Sequence, residues 1–190
     1  DLLLFLNDDT ELIEPDSVHE MVGLAFEADV GMVGAKLLFA DGTIQHAGHV
    51  YPGLATHALL GFDGDHPGPN RMTVVARECS GVTGAAAMMR AVLFRDVGGF
   101  DEAFPSNFND VDLSLRVRRA GYRIVWTPHA SWYHFESVTR DPATSDGERD
   151  LVIARWQAEI EHDPYFNPNL AQHRSDWPER PAGTRAPPFH

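Results

Sequence analysis

The chain has 190 residues and a formal net charge of −13, with 28 acidic residues against 15 basic ones. This balance argues against a broad basic surface for DNA or RNA, although a divalent cation can still bridge an acidic protein and a phosphorylated substrate. The single cysteine, Cys79, excludes an intrachain disulfide, and no apolar run approaches the roughly 20 residues of a membrane-spanning helix.

The first part of the chain predicts an α/β sheet. Residues 1–7 have the continuous apolar pattern of a buried strand in the middle of such a sheet. Because the chain opens on this strand, we expect it to be a fragment that lacks a preceding segment. A helix is predicted over residues 15–28 and a second buried strand over 30–39. Asp41-Gly42 then predicts a hairpin turn, with residues 44–51 as the return strand.

The middle of the chain begins with a long loop. Residues 52–70 are rich in glycine, proline, histidine and aspartate, a composition typical of lids and binding loops. Strands are predicted over residues 72–76 and 81–90. A short helix follows over residues 91–97, and two glycines end it.

The last part of the chain contains the clearest helix, over residues 110–120, with one apolar stripe and a glycine stop. A strand is predicted over residues 122–126, an extended segment over 130–135 and a helix over 148–160. From residue 164 onward the composition favours an irregular tail. Strands and helices that alternate around a hairpin favour a mixed α/β sheet.

An acidic turn, Asn7-Asp8-Asp9-Thr10, follows the first strand. Ligands of open α/β sheets bind at the carboxyl ends of strands, and carboxylates there can hold Mg²⁺ or Mn²⁺. A nucleoside diphosphate could complete the coordination shell of such a cation. The structural alternative is an Asx-turn that caps the next helix.

A second acidic pair, Asp110 and Asp112, opens the helix over residues 110–120. Both carboxylates could simply cap the helix and interact with its dipole. Because residues two apart do not share a helix face, the two cannot enter one small site. Asp112 can reach Arg116 one turn later, which leaves Asp110 as the freer carboxylate and a candidate general base.

His134 lies among aromatic residues near the end of the predicted sheet. A lone histidine in such a strand is more often a packed core residue, but with Asp9 it would make a mixed oxygen and nitrogen ligand set for Mn²⁺. His46, His49, His57 and His66 lack the tight spacing of common zinc motifs, so a structural zinc site is not expected.

These motifs occur in an order that resembles family 2 glycosyltransferases, especially the rhamnosyltransferase-like members. The matching stretches run from residue 1 to about residue 140, and each is weak alone. They are Leu4-Phe5-Leu6-Asn7-Asp8-Asp9-Thr10-Glu11, Gly34-Ala35-Lys36-Leu37-Leu38, Asp41-Gly42-Thr43-Ile44-Gln45-His46-Ala47-Gly48, Val82-Thr83-Gly84-Ala85, Gly98-Gly99-Phe100-Asp101-Glu102, Asn109-Asp110-Val111-Asp112-Leu113, Gly121-Tyr122-Arg123-Ile124, Pro128-His129-Ala130 and His134.

The resemblance implies a GT-A fold, which is a Rossmann-like nucleotide-diphospho-sugar transferase fold with a mixed sheet. Residues 1–140 would form the metal-binding and acceptor-side part of that domain, and residues 141–190 a C-terminal helix and irregular tail. Family members have a further region before this point that carries the first strands and recognises the nucleobase. The resemblance therefore also implies that donor binding is shared with a segment outside this chain.

The resemblance assigns the donor and metal side as follows. The turn after the first strand matches the DxD motif, with Asn7 at its first position. Asp9 would bind the metal, Asp8 would contact the donor, and His134 matches a histidine that often completes the metal shell. Arg140, shortly after it, is expected near the donor diphosphate.

On the acceptor side, Asp110 keeps the position of the family's catalytic base, while Asn109 stands where family members usually have Glu. A simple helix stop and tight backbone turns are the structural alternatives for the glycine-containing stretches here. The further residues expected on the acceptor side are Gly84, Asp101, Glu102 and Asp112.

The resulting prediction is an inverting glycosyltransferase of the hexosyltransferase type that uses Mn²⁺ or Mg²⁺. It would move a sugar from a nucleotide-sugar donor to a hydroxyl of a carbohydrate or lipid-linked acceptor in polysaccharide biosynthesis. We expect it in the cytoplasm, at the inner face of the cell membrane where the acceptor is lipid-linked, with no nucleic-acid partner. Two alternatives stay open: a non-catalytic carbohydrate-binding or assembly module of the same fold, and a metal-dependent hydrolase.

Overall fold

The computed structural model describes residues 1–135, 146–167 and 169–170. Nine strands and four α-helices are found in this part of the chain. The strands are β1 (Leu2–Leu6), β2 (Thr10–Leu12), β3 (Val30–Leu38), β4 (Ile44–His46), β5 (His49–Val50), β6 (Thr56–His57), β7 (Arg77–Glu78), β8 (Ala86–Arg90) and β9 (Arg123–His134). The helices are α1 (Ser17–Ala25), α2 (Ala91–Asp96), α3 (Asn109–Arg119) and α4 (Asp146–Glu161).

Seven of the strands form one mixed sheet, as the sequence predicts. Its order is β1-β8-β3-β9-β2, with β4 paired to β3 and β7 paired to β9. The central pair, β3 and β9, is parallel, whereas β1 and β3 both run antiparallel to β8. The strands β5 and β6 form a separate small antiparallel pair.

The sheet has an apolar layer on each face. One layer is built around Met32, Met89 and Trp126, with α3 packed over it, and the other is built around Val33, Met88 and Trp132, with α1 packed over it. Glycines in β3 permit the close packing on the first face, since a Cβ added at Gly34 would lie 2.3 Å from Val82 Cγ1. A third apolar cluster joins α3 to α4.

The strand β9 is longer than the sequence predicts. Two separate extended segments, over 122–126 and 130–135, are one strand from Arg123 to His134. The pairing register with β3 shifts between Ala35 and Lys36, where residues 128–130 are skipped. Pro128 has no N–H to donate to a ladder, and this irregularity lets the strand continue past it.

The first strand is not the buried central strand that the sequence predicts. β1 lies at one end of the strand order and pairs with β8 alone among the described residues. Its residues are only partly buried, and Leu6 is 46% exposed. The apolar pattern identified a strand correctly but cannot say how many neighbours it has within this chain.

Two other predictions in the middle of the chain are wrong. Residues 72–76 form turns after a short 3-10 helix, Pro69–Arg71, and the strand there is β7 instead. The return strand predicted over 44–51 is divided into β4 and β5, because β5 leaves β3 and pairs with β6. No helix among the described residues is both long and apolar enough to cross a membrane.

Candidate functional site

Four chain segments meet where β1 and β9 end. The backbone N–H of Asn7 donates to Ala85 O at 3.0 Å, which joins the end of β1 to the start of β8. Thr10 pairs with His134 in the β2–β9 ladder, so the acidic turn lies beside the end of β9. The N-terminus of α3 reaches the same place, because Gly84 N–H donates to Asp110 Oδ2 at 3.0 Å.

Asp9 and His134 form the centre of the site. His134 Nε2 lies 3.1 Å from Asp9 Oδ1, and both side chains are less than 20% exposed. The other ring nitrogen, His134 Nδ1, lies 2.5 Å from Gln45 Oε1, an acceptor, so Nδ1 carries a proton and donates it. Nε2 therefore faces Asp9 Oδ1, and with its lone pair free these two atoms would be able to act as ligands of one cation.

Asn7 also contacts this ring. Its Nδ2 lies 3.2 Å from His134 Nε2, and an amide N–H is always a donor, which agrees with an unprotonated Nε2. The backbone oxygen of Asn7 accepts a hydrogen bond from Thr10 Oγ1 at 2.8 Å. The turn is therefore held by a bond between its own residues, and it leads into β2 rather than capping a helix, while its Asp9 side chain faces His134.

Asp110 stands on the other wall of the site. Its Oδ2 accepts the Gly84 N–H and its Oδ1 accepts the Val111 N–H at 2.8 Å, so the carboxylate is half-buried and fixed in orientation. Asn109 Oδ1 in turn accepts the backbone N–H of Asp110. Asp110 thus lies in the first turn of α3 without capping it, since the N-cap residue is Phe108. With one N–H on each oxygen, its carboxylate retains lone pairs to accept a proton.

Asp112 faces away from Asp110, as the helix geometry predicts. It is fully buried and accepts from Arg116 Nε at 2.8 Å, the residue it was expected to reach. Arg155 Nη1 and Trp156 Nε1 from α4 donate to its other oxygen, each at 2.9 Å. Three donors surround this carboxylate in the interior, and its contacts join α3 to α4.

The remaining predicted residues lie around these two walls. Asp8 and Glu102 are exposed, and Asp101 is half-buried and pairs with Arg155 at 2.6 Å. Gly84 lies close to Asp110, since a Cβ added at this glycine would be in ordinary contact with Asp110 Cβ at 3.7 Å. Arg140 lies outside the described residues.

Three histidines that the sequence reasoning set aside come together beside this site. Ligand-capable nitrogens of His46, His49 and His57 all lie within 4.8 Å of one another. Their ring centroids are 4.9 Å apart in each pair, and each pair is close to perpendicular. His46 and His49 are buried and His57 is half-buried. Sequence spacing missed the cluster because β5–β6 pairing places His49 opposite His57.

Burial lowers the pKa of all three rings. The pKa of His57 falls to about 3, first through burial and then through its neighbour His49, partly offset by the Asp110 carboxylate. Burial also lowers the pKa of His46 well below its usual range, with His57 and His49 adding to the effect. The pKa of His49 is lowered by burial and raised in part by Asp110. All three rings are therefore neutral near pH 7.

The sequence model of the protein family "Glycosyl transferase family group 2" matches residues 2–160 of this chain. This range includes all the described residues of the site. The chain belongs to this family. Its fold is the GT-A fold: GalNAc-T7, solved with UDP, GalNAc and Mn²⁺, superimposes with a TM-score of 0.60 at 12% identity, over 84% of this chain and 33% of that one. The resemblance drawn from the motifs is confirmed by both findings.

Bacterial relatives match most of the chain. Protein y4gI of Sinorhizobium fredii is 41% identical over 93% of this chain, and O-antigen biosynthesis protein RfbC of Myxococcus xanthus is 37% identical over 93%. The chain spans only 21% and 14% of the lengths of these two relatives. The N-acetylglucosaminyl-diphospho-decaprenol L-rhamnosyltransferase of Mycobacterium tuberculosis is 31% identical over 60% of this chain and 41% of its own length.

The pair formed by Asp9 and His134 has the geometry of two ligands of a divalent cation. Two neighbouring ligands on an octahedral Mg²⁺-sized ion stand about 3 Å apart, given bonds of roughly 2.0–2.1 Å. The 3.1 Å separation of Asp9 Oδ1 and His134 Nε2 matches that spacing. A carboxylate with an imidazole also suits Mn²⁺.

Gln45 is a residue of the candidate site that sequence reasoning did not single out. It is 4% exposed, and its Nε2 donates to His134 O at 3.4 Å while its Oε1 accepts from the ring. Partners of this kind fix the tautomer of a metal-binding histidine. Gln45 lies within the family-matching stretch Asp41-Gly42-Thr43-Ile44-Gln45-His46, which could have drawn attention to it. Nothing in the sequence, however, shows that this hairpin reaches β9.

Proposed function

We propose that this chain forms the metal-binding and acceptor-side part of an inverting glycosyltransferase of polysaccharide biosynthesis. The enzyme transfers a sugar from a nucleotide-sugar donor to a hydroxyl of a carbohydrate or lipid-linked acceptor. The observation that carries this proposal is the facing pair of Asp9 and His134, with the His134 tautomer set by Gln45. That pair lies on the GT-A fold at the ends of β1 and β9, where ligands of α/β sheets bind.

Asp110 is the general base in this proposal. Its carboxylate takes the proton from the acceptor hydroxyl while that oxygen attacks the anomeric carbon from the face opposite the diphosphate. A new carbon–oxygen bond forms, the bond to the diphosphate oxygen breaks, and the nucleoside diphosphate leaves with its electron pair. The hydrogen bonds from Gly84 and Val111 keep the carboxylate oriented for this step.

The donor side is held by the opposite wall. Asp9 and His134 would hold Mn²⁺ or Mg²⁺, and a cation bound there would supply charge neutralisation for the departing diphosphate. Asp8 is exposed beside them and contacts the donor. A lipid-linked acceptor is supported by the name of the mycobacterial relative, which specifies a decaprenol-linked substrate. Such an acceptor would place the enzyme in the cytoplasm at the inner face of the membrane.

Calorimetric titration of UDP, GDP and dTDP, each with and without Mn²⁺, tests the donor side. We expect at least one nucleotide to bind in a Mn²⁺-dependent manner and Asp9→Ala to abolish that binding. Asp16→Ala is the matched control, because Asp16 is 98% exposed in a turn before α1. Binding that does not depend on Mn²⁺ or on Asp9 would contradict the assignment.

The same titration on the longer protein that contains this chain completes the test. Binding there but not by the isolated chain would assign nucleobase contacts to another segment. Absence of binding in both would overturn the proposal. Nucleotide-dependent binding with no sugar transfer to any acceptor in the longer protein would favour the non-catalytic alternative, to which the amides of Asn7 and Asn109 lend support.

A further inference from the structure

The three clustered histidines are not used by the transfer chemistry described above. Their nitrogens lie within 4.8 Å of one another, and His46 Nδ1 lies 2.8 Å from His57 Nδ1. His49 is 2% exposed, and its buried Nδ1 has no hydrogen-bond partner in the described structure. A buried polar atom without a partner is costly, so its presence among two other converging imidazoles calls for a ligand.

The chemistry of the cluster selects the class of ligand. Three neutral imidazoles offer lone pairs and no negative charge, which suits a borderline transition ion such as Zn²⁺ rather than Mg²⁺ or Ca²⁺. The negative charge of Asp110 acts on His49 and His57, which favours a cation at this place. His57 is half-buried, so its edge provides a route for an ion from solvent.

We infer that His46, His49 and His57 form a second metal site, which binds one Zn²⁺-class ion through three imidazole nitrogens and leaves one coordination position for water. Nitrogens on one tetrahedral zinc ion stand roughly 3.3 Å apart, given bonds of about 2.0–2.1 Å. The present separations, from 2.8 Å to at most 4.8 Å, bracket this value. Small ring rotations bring the three nitrogens to it.

Metal binding changes the hydrogen bonds of His46. Thr83 N–H donates to His46 Nε2 at 3.2 Å, so without metal the ring proton is on Nδ1 and is donated to His57 Nδ1. Coordination through His46 Nδ1 moves that proton to Nε2 and ends the Thr83 hydrogen bond. The free energy lost with this one long hydrogen bond is small compared with the free energy of zinc coordination. The adjacent Gly84 N–H holds Asp110, so zinc binding is coupled to the turn that orients this carboxylate.

This second site uses no ligand of the Asp9–His134 site and does not depend on the proposed transfer reaction. The two sites also differ in chemistry, since one offers a carboxylate with one imidazole and the other three imidazoles. A metal that binds to the histidine cluster should therefore survive loss of Asp9. If the loss of Asp9 removed both metals together, the protein would have one shared metal site.

Titration of the chelator-treated chain with Co²⁺ and Zn²⁺ tests the inference. We expect one Co²⁺ per chain with the intense visible bands of a four-coordinate ion, displaced by Zn²⁺. X-ray absorption of the zinc-loaded chain should show three imidazole ligands. Fewer than three imidazoles, or no visible bands at all, would overturn the three-histidine site, and neither measurement needs a variant that folds.

Variants then assign the ligands. His49→Ala and His57→Gln should each weaken the Co²⁺ binding that gives the four-coordinate visible bands by at least about tenfold, while His19→Ala should leave it unchanged. His19 is the matched control because its side chain is 88% exposed. Circular dichroism establishes which variants are folded, and His57→Gln serves if His49→Ala is not. Unchanged Co²⁺ affinity in a folded His57→Gln chain, or its loss in Asp9→Ala, would contradict the assignment.

Discussion

At the scale of single residues, hydrogen bonds decide what each site group can do. Gln45 Oε1 fixes the proton of His134 on Nδ1, so the nitrogen that faces Asp9 keeps its lone pair. Gly84 and Val111 fix the Asp110 carboxylate in the same way from two sides. Residue type alone identified Asp9, Asp110 and His134 as candidates, but the neighbours that tune them come from distant segments.

Replacement of Gln45 by leucine tests this dependence. We expect Gln45→Leu to weaken Mn²⁺-dependent nucleotide binding by about 10–100-fold, because the ring of His134 loses the acceptor that sets its tautomer. Calorimetry measures the change. Gln157→Leu is the matched control, since Gln157 is exposed on α4 and bonds only to Glu161 among the contacts described. Equal affinities for wild type and Gln45→Leu would show that Gln45 does not orient the ligand.

Replacement of Asp110 by asparagine tests the proposed base. The amide keeps the size of the side chain but cannot accept the acceptor's proton, so kcat should fall by about 10²–10⁴-fold. Nucleotide affinity should change by less than about twofold, because Asp110 does not touch the donor wall. Steady-state transfer assays and calorimetry on the longer protein measure the two quantities, with exposed Asp150→Asn as the control. Parallel loss of binding and turnover would contradict a role confined to proton transfer.

At the scale of elements, α4 is tied to α3 by buried charge. Asp112 accepts from Arg155 and Trp156 of α4 as well as from Arg116 of its own helix. Glu148, at the start of α4, accepts the backbone N–H groups of Ser106 and Asn107 just before α3. These contacts hold the segment that precedes Asp110, so α4 contributes to the position of the proposed base without lying in the site.

Removal of the Asp112 carboxylate should therefore be costly. Asp112→Ala leaves two guanidinium groups and an indole N–H without their shared acceptor, and we expect a loss of roughly 2–4 kcal/mol in the free energy of unfolding. The lower part of that range allows for the partial exposure of both arginines. Urea denaturation measures it, with Asp150→Ala as the control. A loss below about 0.5 kcal/mol would show that the network contributes little.

At the scale of the whole molecule, a mixed sheet brings four chain segments to one edge. The end of β1, the start of β8, the end of β9 and the start of α3 all meet there, although they are more than 120 residues apart in the most distant case, Asn7 and His134. The loop predicted over 52–70 contributes His57 to the same region through the β5–β6 pair. A buried group of neutral histidines in this position has consequences for the stability of the whole fold.

The histidine cluster predicts a pH-dependent stability for the metal-free protein. The folded chain keeps His57 neutral down to about pH 3, whereas the unfolded chain takes up the proton near the ordinary value of 6.5. The unfolded state therefore binds more protons in this interval, and the free energy of unfolding should fall as the pH drops below about 6.5. His46 and His49 act in the same direction.

Urea denaturation in the presence of a chelator, at about pH 7.5, 6 and 5, measures this slope. His57→Gln removes one of the titrating groups and should flatten the curve, whereas His19→Gln should not. Identical slopes for wild type and His57→Gln would mean that the pKa of this ring is the same in the folded and unfolded states. The chosen interval stays above the pKa range of ordinary carboxyl groups, so the histidines dominate the change.

The sequence by itself determined the fold class and the family, because apolar periodicity, turn residues and motif order are local properties of the chain. It also named Asp9 and Asp110 as candidate site groups. It also separated Asp110 from Asp112, since the helical repeat alone places them on different faces. The sequence-based predictions were wrong for features that depend on which strands pair with each other. These are the position of β1, the continuity of β9 and the strand predicted over 72–76.

Only the tertiary structure decided which groups meet. The pairing of Gln45 with His134 and the meeting of His46, His49 and His57 depend on strand register and on the course of a loop between short strands. Sequence spacing argued against a zinc site because it counts separations along one chain segment, whereas metal ligands need only converge in space. Long-range pairing has no local signature, and for this reason the neighbours of a functional side chain are the last features that a sequence reveals.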